Sequence, residues 1–445
     1  MYIGARALLK NFMVKVIILL YNRLIQLIGK NTFDAVFVTG ALFGVGFFSY
    51  LLQLLLGRLL TVEGFGDFTA LLSFVTIITF FSNVVGMALV KLFSELHAEN
   101  KNSELVNLFK KVILLSTFAG IVLTFALILF QNQIHMYLNI SYQNVIIFFA
   151  LDFILTFPLM YVATLLQATN RFIYFSFYTV LGSMLRLVFP VLLLVFISKD
   201  PSFVFLGFLL SQILSIVIAL VVIKLSKVLV TFEKAVCVHV KSREHIQKLL
   251  SDIIPIAAIT GVMALLSNYD MILVKHYFNA FNAGIYAGTL TLGKIILFGA
   301  GSVATVMYPR VVSNKKNKVA VLRLVKQFTL IQVVFILIPL SCYILIPSLI
   351  TTLLFGEKYI SSIPFLPIYA VFIGFWVLIN YILTLLIALD ERKIALFVPA
   401  FFVAQFLGIS TFHNSLYQVV WINFGVGLAF ALFTSGYFIK VLRKL

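Results

Sequence analysis

Twelve apolar stretches, most of them about 20 residues long, partition this chain and leave little room for any other architecture. They run over 34–57, 68–90, 112–131, 144–166, 172–197, 203–223, 252–275, 283–308, 328–350, 363–388, 394–411 and 416–439. A hydrocarbon core of about 30 Å takes about 20 helical residues to cross. In lipid, backbone donors and acceptors must be satisfied within the segment, so each stretch is expected to be a helix. Charged residues are 11% of the 445 and hydrophobic ones 62%, against about 25% charged in soluble domains. The expected fold class is therefore an all-α polytopic membrane protein with about twelve transmembrane helices. The eleventh stretch is the shortest and is interrupted by Gln405 and Gly408.

The basic residues orient these spans. Of the 33 Lys and Arg, 27 fall on the side that carries both termini. The other side holds Arg58, Lys199, Lys275 and Lys358, and Arg186 and Lys294 lie within spans. Cytoplasmic loops carry the excess of Lys and Arg, so both termini are expected in the cytoplasm and the chain in the cytoplasmic (inner) membrane. The formal charge of +18 is thus topological. It also attracts anionic membrane lipids, and no nucleic-acid partner is expected. Residues 1–33 are read as a basic segment on the cytoplasmic surface. Asn22 and Arg23 break the apolar run that a signal peptide would need.

The longest basic loop, 224–251, divides the chain into halves at 34–223 and 252–440, each with six spans. The first half contains LLLGRLLTVEGFGDFTALLSF and the second MILVKHYFNAFNAGIYAGTLTLG. Gly66 matches Gly284, Phe68 matches Tyr286, and Arg58 matches Lys275 once one residue is gapped. Both halves begin on the same side, so they form a parallel repeat about a pseudo-two-fold axis along the membrane normal.

Several chemistries are excluded. No GxxxxGK[ST] cradle occurs, so the chain is not expected to hydrolyse ATP. No metal-ligand spacing appears, and no cofactor is expected. Cys237 and Cys342 fall on different elements, which leaves no structural disulfide. The longest outer loop, QNQIHMYLNISYQN, carries no Lys, Arg, Asp or Glu. A glycan polymerase or ligase would need such groups there, so an enzyme is not expected.

The informative residues are charges inside the spans. A charge at the bilayer centre costs ~2.5–3.5 kcal/mol on insertion scales, so it faces a cavity or a partner. At 1.5 Å per residue, Lys294 and Arg186 each lie roughly 16 Å from the outer boundary, Asp152 roughly 12 Å and Asp270 roughly 8 Å. Two readings stay open. In one, Asp152 pairs with Arg186 and Asp270 with Lys294. In the other, Arg186 and Lys294 form a cationic floor for an anionic headgroup, since Arg matches phosphate geometrically and Lys acts as a point charge. Asp270 is also a candidate ion-coupling carboxylate. Asn268 joins it only if the helix is distorted, because residues two apart do not share a face. Arg58 and Lys275 are candidate basic residues at the outer mouth. Prolines inside spans, such as Pro158, Pro190 and Pro339, offer bending points.

The two hairpin sequences, together with LLQATNRFIYFSFYTVLGSMLRLVF and LINYILTLLIALDERKIALF, resemble the oligosaccharide flippases of the polysaccharide-transport family. These belong to the multidrug/oligosaccharidyl-lipid/polysaccharide exporter superfamily, and the likeness covers most of 34–440. It implies a V-shaped pair of bundles with a cationic cavity, moving a polyprenyl-pyrophosphate-linked oligosaccharide to the outer leaflet by alternating access. The implied partners are the lipid-linked oligosaccharide, membrane lipids and glycan-assembly proteins. Arg186 and Lys294 match the expected cavity cations by position, and both are expected to hold the pyrophosphate. The two extra helices of the lipid II flippase branch have no counterpart here. The rival expectation is an ion-coupled drug or metabolite exporter of the same superfamily, which would need Asp270 or Asp152 as its cavity carboxylate.

Overall fold

The computed structural model describes residues 30–142, 144–226, 257–315 and 317–444, with the single positions 228 and 254. The basic segment 1–33 lies almost wholly outside these residues, as does most of the linker 224–251. All regular structure among the described residues is helical, and twelve helical spans are long and apolar enough to cross a membrane.

The first half contains α1 (Lys30–Leu59), α2 (Val62–Ala98), α3 (Asn102–Leu129), the short α4 (Gln131–Tyr137), α5 (Val145–Ala168), α6 (Phe172–Phe196) and α7 (Ser202–Ser226). The second half opens with one span made of two pieces, α8 (257–266) and α9 (Tyr269–Tyr277). Its second span is also divided, into α10 (Ala280–Gly293) and α11 (Ile295–Ser313). Then come α12 (Lys318–Leu345), the short α13 (Pro347–Phe355), a 3-10 turn at Glu357–Ser362, α14 (Leu366–Ala388), α15 (Val398–Thr411) and α16 (Leu416–Lys444).

The two halves pack alike. In the first, the major pairings are span one with five, two with four, three with four, four with six and five with six. In the second the same pairings recur six spans later: seven with eleven, eight with ten, nine with ten, ten with twelve and eleven with twelve. The end of the fourth span repeats in the tenth. Asn170 and Asp390 both take the left-handed conformation, at φ 57° and 62°. Each is followed by a residue whose N–H reaches back around the turn, Arg171 to Leu166 O and Glu391 to Leu386 O, at 2.9 Å in both cases. This is the Schellman arrangement, in which Asn and Asp tolerate what only Gly adopts freely.

The apolar core shows how the halves join. On the face opposite the termini, a single cluster runs across both halves, from Leu56, Phe65 and Phe68 to Met271, Tyr286 and Tyr359. On the terminal face the core splits. One cluster belongs to the first half, around Phe93, Leu165 and Val222, and another to the second, around Met307, Leu385 and Ile394. The bundles are closed together at one face and have separate interiors at the other.

Two glycines make that closure tight. A Cβ on Gly66 would sit 3.0 Å from Gly284 Cα, and a Cβ on Gly284 would run into the Val62 carbonyl. Small residues let helices approach to backbone contact, which is where packing in a membrane derives its strength. The glycines matched between the two repeats therefore meet each other across the seam.

Candidate functional site

Three polar assemblies interrupt the apolar interior, one in each half and one between them.

In the first half, Asp152 on α5 is buried and accepts from Gln212 Nε2 at 2.6 Å, while the same amide donates to Thr156 Oγ1 at 2.8 Å. Arg186 on α6 lays its guanidinium over the Phe208 ring, with Cζ 4.2 Å from the centroid. Asp152 and Arg186 interact through space but form no ion pair. Arg186 instead lines a cavity of about 270 Å³ with Ser49 and Gln53 of α1, Thr76 and Thr79 of α2, Thr156 and Ser183. No residue of the second half lines this cavity.

In the second half the carboxylate of Asp270 is fully buried. Its Oδ2 accepts from Tyr286 OH at 2.5 Å, Tyr369 OH at 3.2 Å and Asn423 Nδ2 at 3.2 Å. Its Oδ1 accepts from Met271 N at 2.8 Å. Gln405 Nε2 extends the network, donating to Asn423 Oδ1 at 2.8 Å and to Leu266 O at 3.1 Å. Neutral donors from the eighth, tenth and twelfth spans thus satisfy this carboxylate, as a buried charge requires.

Lys294 stands beside this network without an ion pair to Asp270. Its Nζ donates to Asn268 Oδ1 at 3.1 Å. Both residues lie at helix breaks, and local chemistry explains each. Asn268 Nδ2 and Ser267 Oγ turn back to Ala264 O, at 2.8 Å and 3.3 Å, and compete with the backbone ladder there. Lys294 follows Gly293 and stands between α10 and α11, capping one and starting the other. Glycine is a common cause of such a kink. The helix is thus broken at Asn268, and its side chain bonds Ala264 O, Ser267 Oγ and Lys294 Nζ and not the Asp270 carboxylate.

The third assembly ties the halves together at the closed face. Lys275 Nζ lies 2.5 Å from Asp67 Oδ1, and both side chains are fully buried. Ser141 N donates to the other Asp67 oxygen at 2.8 Å. Nearby, Asn139 Nδ2 donates to His276 O at 2.9 Å, and the His276 ring stacks on Tyr137 with centroids 4.1 Å apart. Arg58 donates to the carbonyls of Leu353 and Leu354, and Lys358 to those of Arg58 and Leu60. Lys358 lies outside the spans, and desolvation, with Lys199 nearby, holds its ammonium pKa below the usual lysine range.

The expected sites thus separate. Lys275 is buried in an ion pair and does not line a basic mouth, and Arg58 is engaged with carbonyls of the opposite half. Neither expected charge pair, Asp152 with Arg186 or Asp270 with Lys294, forms a direct ion pair. Arg186 lines the first-half cavity, and Lys294 is not among the residues lining it. Sequence reasoning passed over Asp67, Tyr286, Tyr369 and Asn423. Asn423 carried a signal, as a lone polar group in the apolar run VVWINFGVGLAF.

The sequence pattern of the family described as "Polysaccharide biosynthesis protein" matches residues 9–315. No curated protein matches the chain. Among solved structures, the fold is shared with the "Inward-facing conformation of a multidrug resistance MATE family transporter of the MOP superfamily", with a TM-score of 0.71 and 13% identity over 89% of this chain and 95% of that one. It is also shared with "Lipid II flippase MurJ, inward closed conformation", at a TM-score of 0.65 and 15% identity over 90% and 86%. A further MATE structure, in the bent conformation, matches at a TM-score of 0.54 and 15% identity over 90% and 96%.

Proposed function

The chain belongs to the polysaccharide biosynthesis protein family, and on that premise we propose that it is a flippase for a polyprenyl-pyrophosphate-linked oligosaccharide. It would carry the headgroup from the cytoplasmic to the outer leaflet of the cytoplasmic membrane, for cell-surface polysaccharide assembly, with both termini cytoplasmic. The observation that carries this reading is a pair of intramembrane cations, Arg186 and Lys294, one in each half and neither ion-paired among the described residues. Unpaired cations at membrane depth are costly unless they serve a pathway, and an anionic headgroup is the partner they lack.

The geometry supports a rocking mechanism. The halves meet on one face and have separate cores on the other, so a headgroup enters between them from the terminal side. The prenyl tail stays in lipid. Opening the seam at Asp67 and Lys275 and closing the terminal side then presents the headgroup to the opposite leaflet. The fold shared with the MurJ lipid II flippase is compatible with this motion.

An ion-coupled exporter is the second reading. The buried carboxylate of Asp270 and the fold shared with the MATE transporters favour it. It requires drug resistance that depends on a Na+ or proton gradient.

The deciding experiment returns Arg186→Ala, Lys294→Ala and the double variant to a strain lacking the chain, and reads surface glycan at matched protein level. Loss of glycan is expected. Full surface glycan from all three variants would rule out the cation role.

A further inference from the structure

We propose that the cavity in the first half is a sugar subsite that takes one ring bearing a single anionic group, with Arg186 as its charge contact; this rests on the flippase reading above. It assigns Arg186 to the glycan rather than to the pyrophosphate.

The proton directions of the wall carry the argument. The hydroxyls of Ser49, Thr76 and Thr79 donate back to Val45, Leu72 and Val75 carbonyls of their own helices, at 2.8, 2.9 and 2.8 Å. Ser183 does the same to Val180 O at 2.8 Å, and Thr156 to Asp152 O at 2.9 Å. A hydroxyl has one proton and two lone pairs. With the proton used, each presents only acceptor capacity to the cavity. The wall is thus mainly hydroxyl acceptors, with the Arg186 guanidinium (five donors, no acceptor) and the Gln53 amide (two donors and an acceptor oxygen) as its donor groups.

The complement of such a wall is a group with several hydroxyl donors and one anionic acceptor. A sugar ring with a carboxylate or phosphoryl substituent has both. Pyrophosphate has acceptors alone: Arg186 and the Gln53 amide could meet some of its oxygens, but those facing the Ser49, Thr76, Thr79, Thr156 and Ser183 hydroxyls would have no proton between them. A metal cation would suit the oxygens but meets the Arg186 charge. Size agrees: about 270 Å³ falls just under the ~300–1,000 Å³ of ordinary small-molecule pockets, room for one ring and not for a whole oligosaccharide. Leu72, Val75 and Phe68 supply apolar wall for the C–H face of a ring.

The test uses the full chain in lipid nanodiscs and saturation-transfer NMR, with methyl glucuronide, glucose 6-phosphate, methyl glucoside and inorganic pyrophosphate as probes. Methyl glucuronide or glucose 6-phosphate is expected to bind at least about tenfold tighter than methyl glucoside, the size of one charge-assisted hydrogen bond. Arg186→Gln should remove that advantage. Thr76→Val with Thr79→Val keeps the wall's shape and should weaken both acidic and neutral sugars about threefold or more. Pyrophosphate should not displace the bound sugar. The proposal is overturned if pyrophosphate displaces the acidic probe, if acidic and neutral sugars bind alike, if neither variant alters binding, or if no sugar binds. Surface glycan read in parallel separates the two claims. Glycan lost with the chain deleted, without sugar binding in this cavity, leaves the flippase reading standing and removes this one. Sugar binding together with unchanged surface glycan in the deletion strain does the reverse.

Discussion

Lys294 Nζ donates to Asn268 Oδ1 across 3.1 Å, and each of these residues stands at the break in its own helix. The contact therefore joins two bending points in consecutive spans of the second half. Asn268→Leu removes the acceptor and leaves the ammonium without a hydrogen bond. The expected loss is ~1–3 kcal/mol, read as a lower thermal midpoint in detergent. Adding Lys294→Met to that variant should recover most of the loss, because the stranded charge is then gone. A double variant as unstable as the sum of the two singles would show that the contact carries no coupling.

The buried pair of Asp67 and Lys275 predicts a strong asymmetry between single and exchanged variants. Removing one partner of a buried pair costs about 3–5 kcal/mol, because the other charge is left in a dry site. Lys275→Ala and Asp67→Ala should each give aggregated protein on size exclusion. Asp67→Lys combined with Lys275→Asp restores opposite charges and should restore much of the monodisperse peak. Recovery will be incomplete, since each charge then opposes its helix dipole at ~0.3–1 kcal/mol.

Gly284 predicts a conformational effect. A valine there collides with the backbone of Val62, so Gly284→Val should force the closed face apart. The measurement is thiol labelling of Leu273→Cys, a buried position, in purified protein whose two native cysteines are replaced by serine. Labelling should rise about tenfold, equivalent to about 1.4 kcal/mol taken from the seam. Unchanged labelling would mean that the seam does not depend on that glycine.

The Asp270 network predicts an ordered pair of effects. Asp270→Asn places an amide donor against a site made of donors, and leaves several of them unpaired. It should cost more stability than Tyr286→Phe, which removes one hydrogen bond to a charged group at about 1.5–3 kcal/mol. The reverse order in thermal midpoints would mean that Asp270 is not held as a carboxylate acceptor.

The fold was legible because crossing a bilayer demands length and apolarity, and both are written locally. The eleventh span, expected at 394–411 and observed as Val398–Thr411 after a 3-10 turn, shows how little the boundaries moved. The second ran longer than expected, to Val62–Ala98, because helices continue past the lipid where apolarity alone stops counting. The site was less legible. Depth along a span can be read from residue number, but facing cannot. Arg186 and Lys294 read to like depth, yet what each touches, the Phe208 ring and Asn268 Oδ1, is not written in that depth. Lys275 reads as a surface cation until Asp67, more than two hundred residues away, is placed against it. The break at Asn268 depends on side-chain bonds to Ala264 that no periodicity reveals.

The seam has a symmetry that bears on how it opens. At an isologous interface, a residue on the axis meets its own copy and every off-axis contact occurs twice. Gly66 and Gly284 are such a self-meeting pair inside one chain. The contact of Asp67 with Lys275 should then have a twin between the positions matched to them, Ile285 and Arg58. That twin is missing: Ile285 is apolar and buried, and Arg58 turns to the carbonyls of Leu353 and Leu354. The closure is held on one side of its axis by a buried ion pair and on the other by Arg58 and Lys358 on backbone carbonyls of the opposite half, so its two edges differ in kind and favour peeling over an even separation.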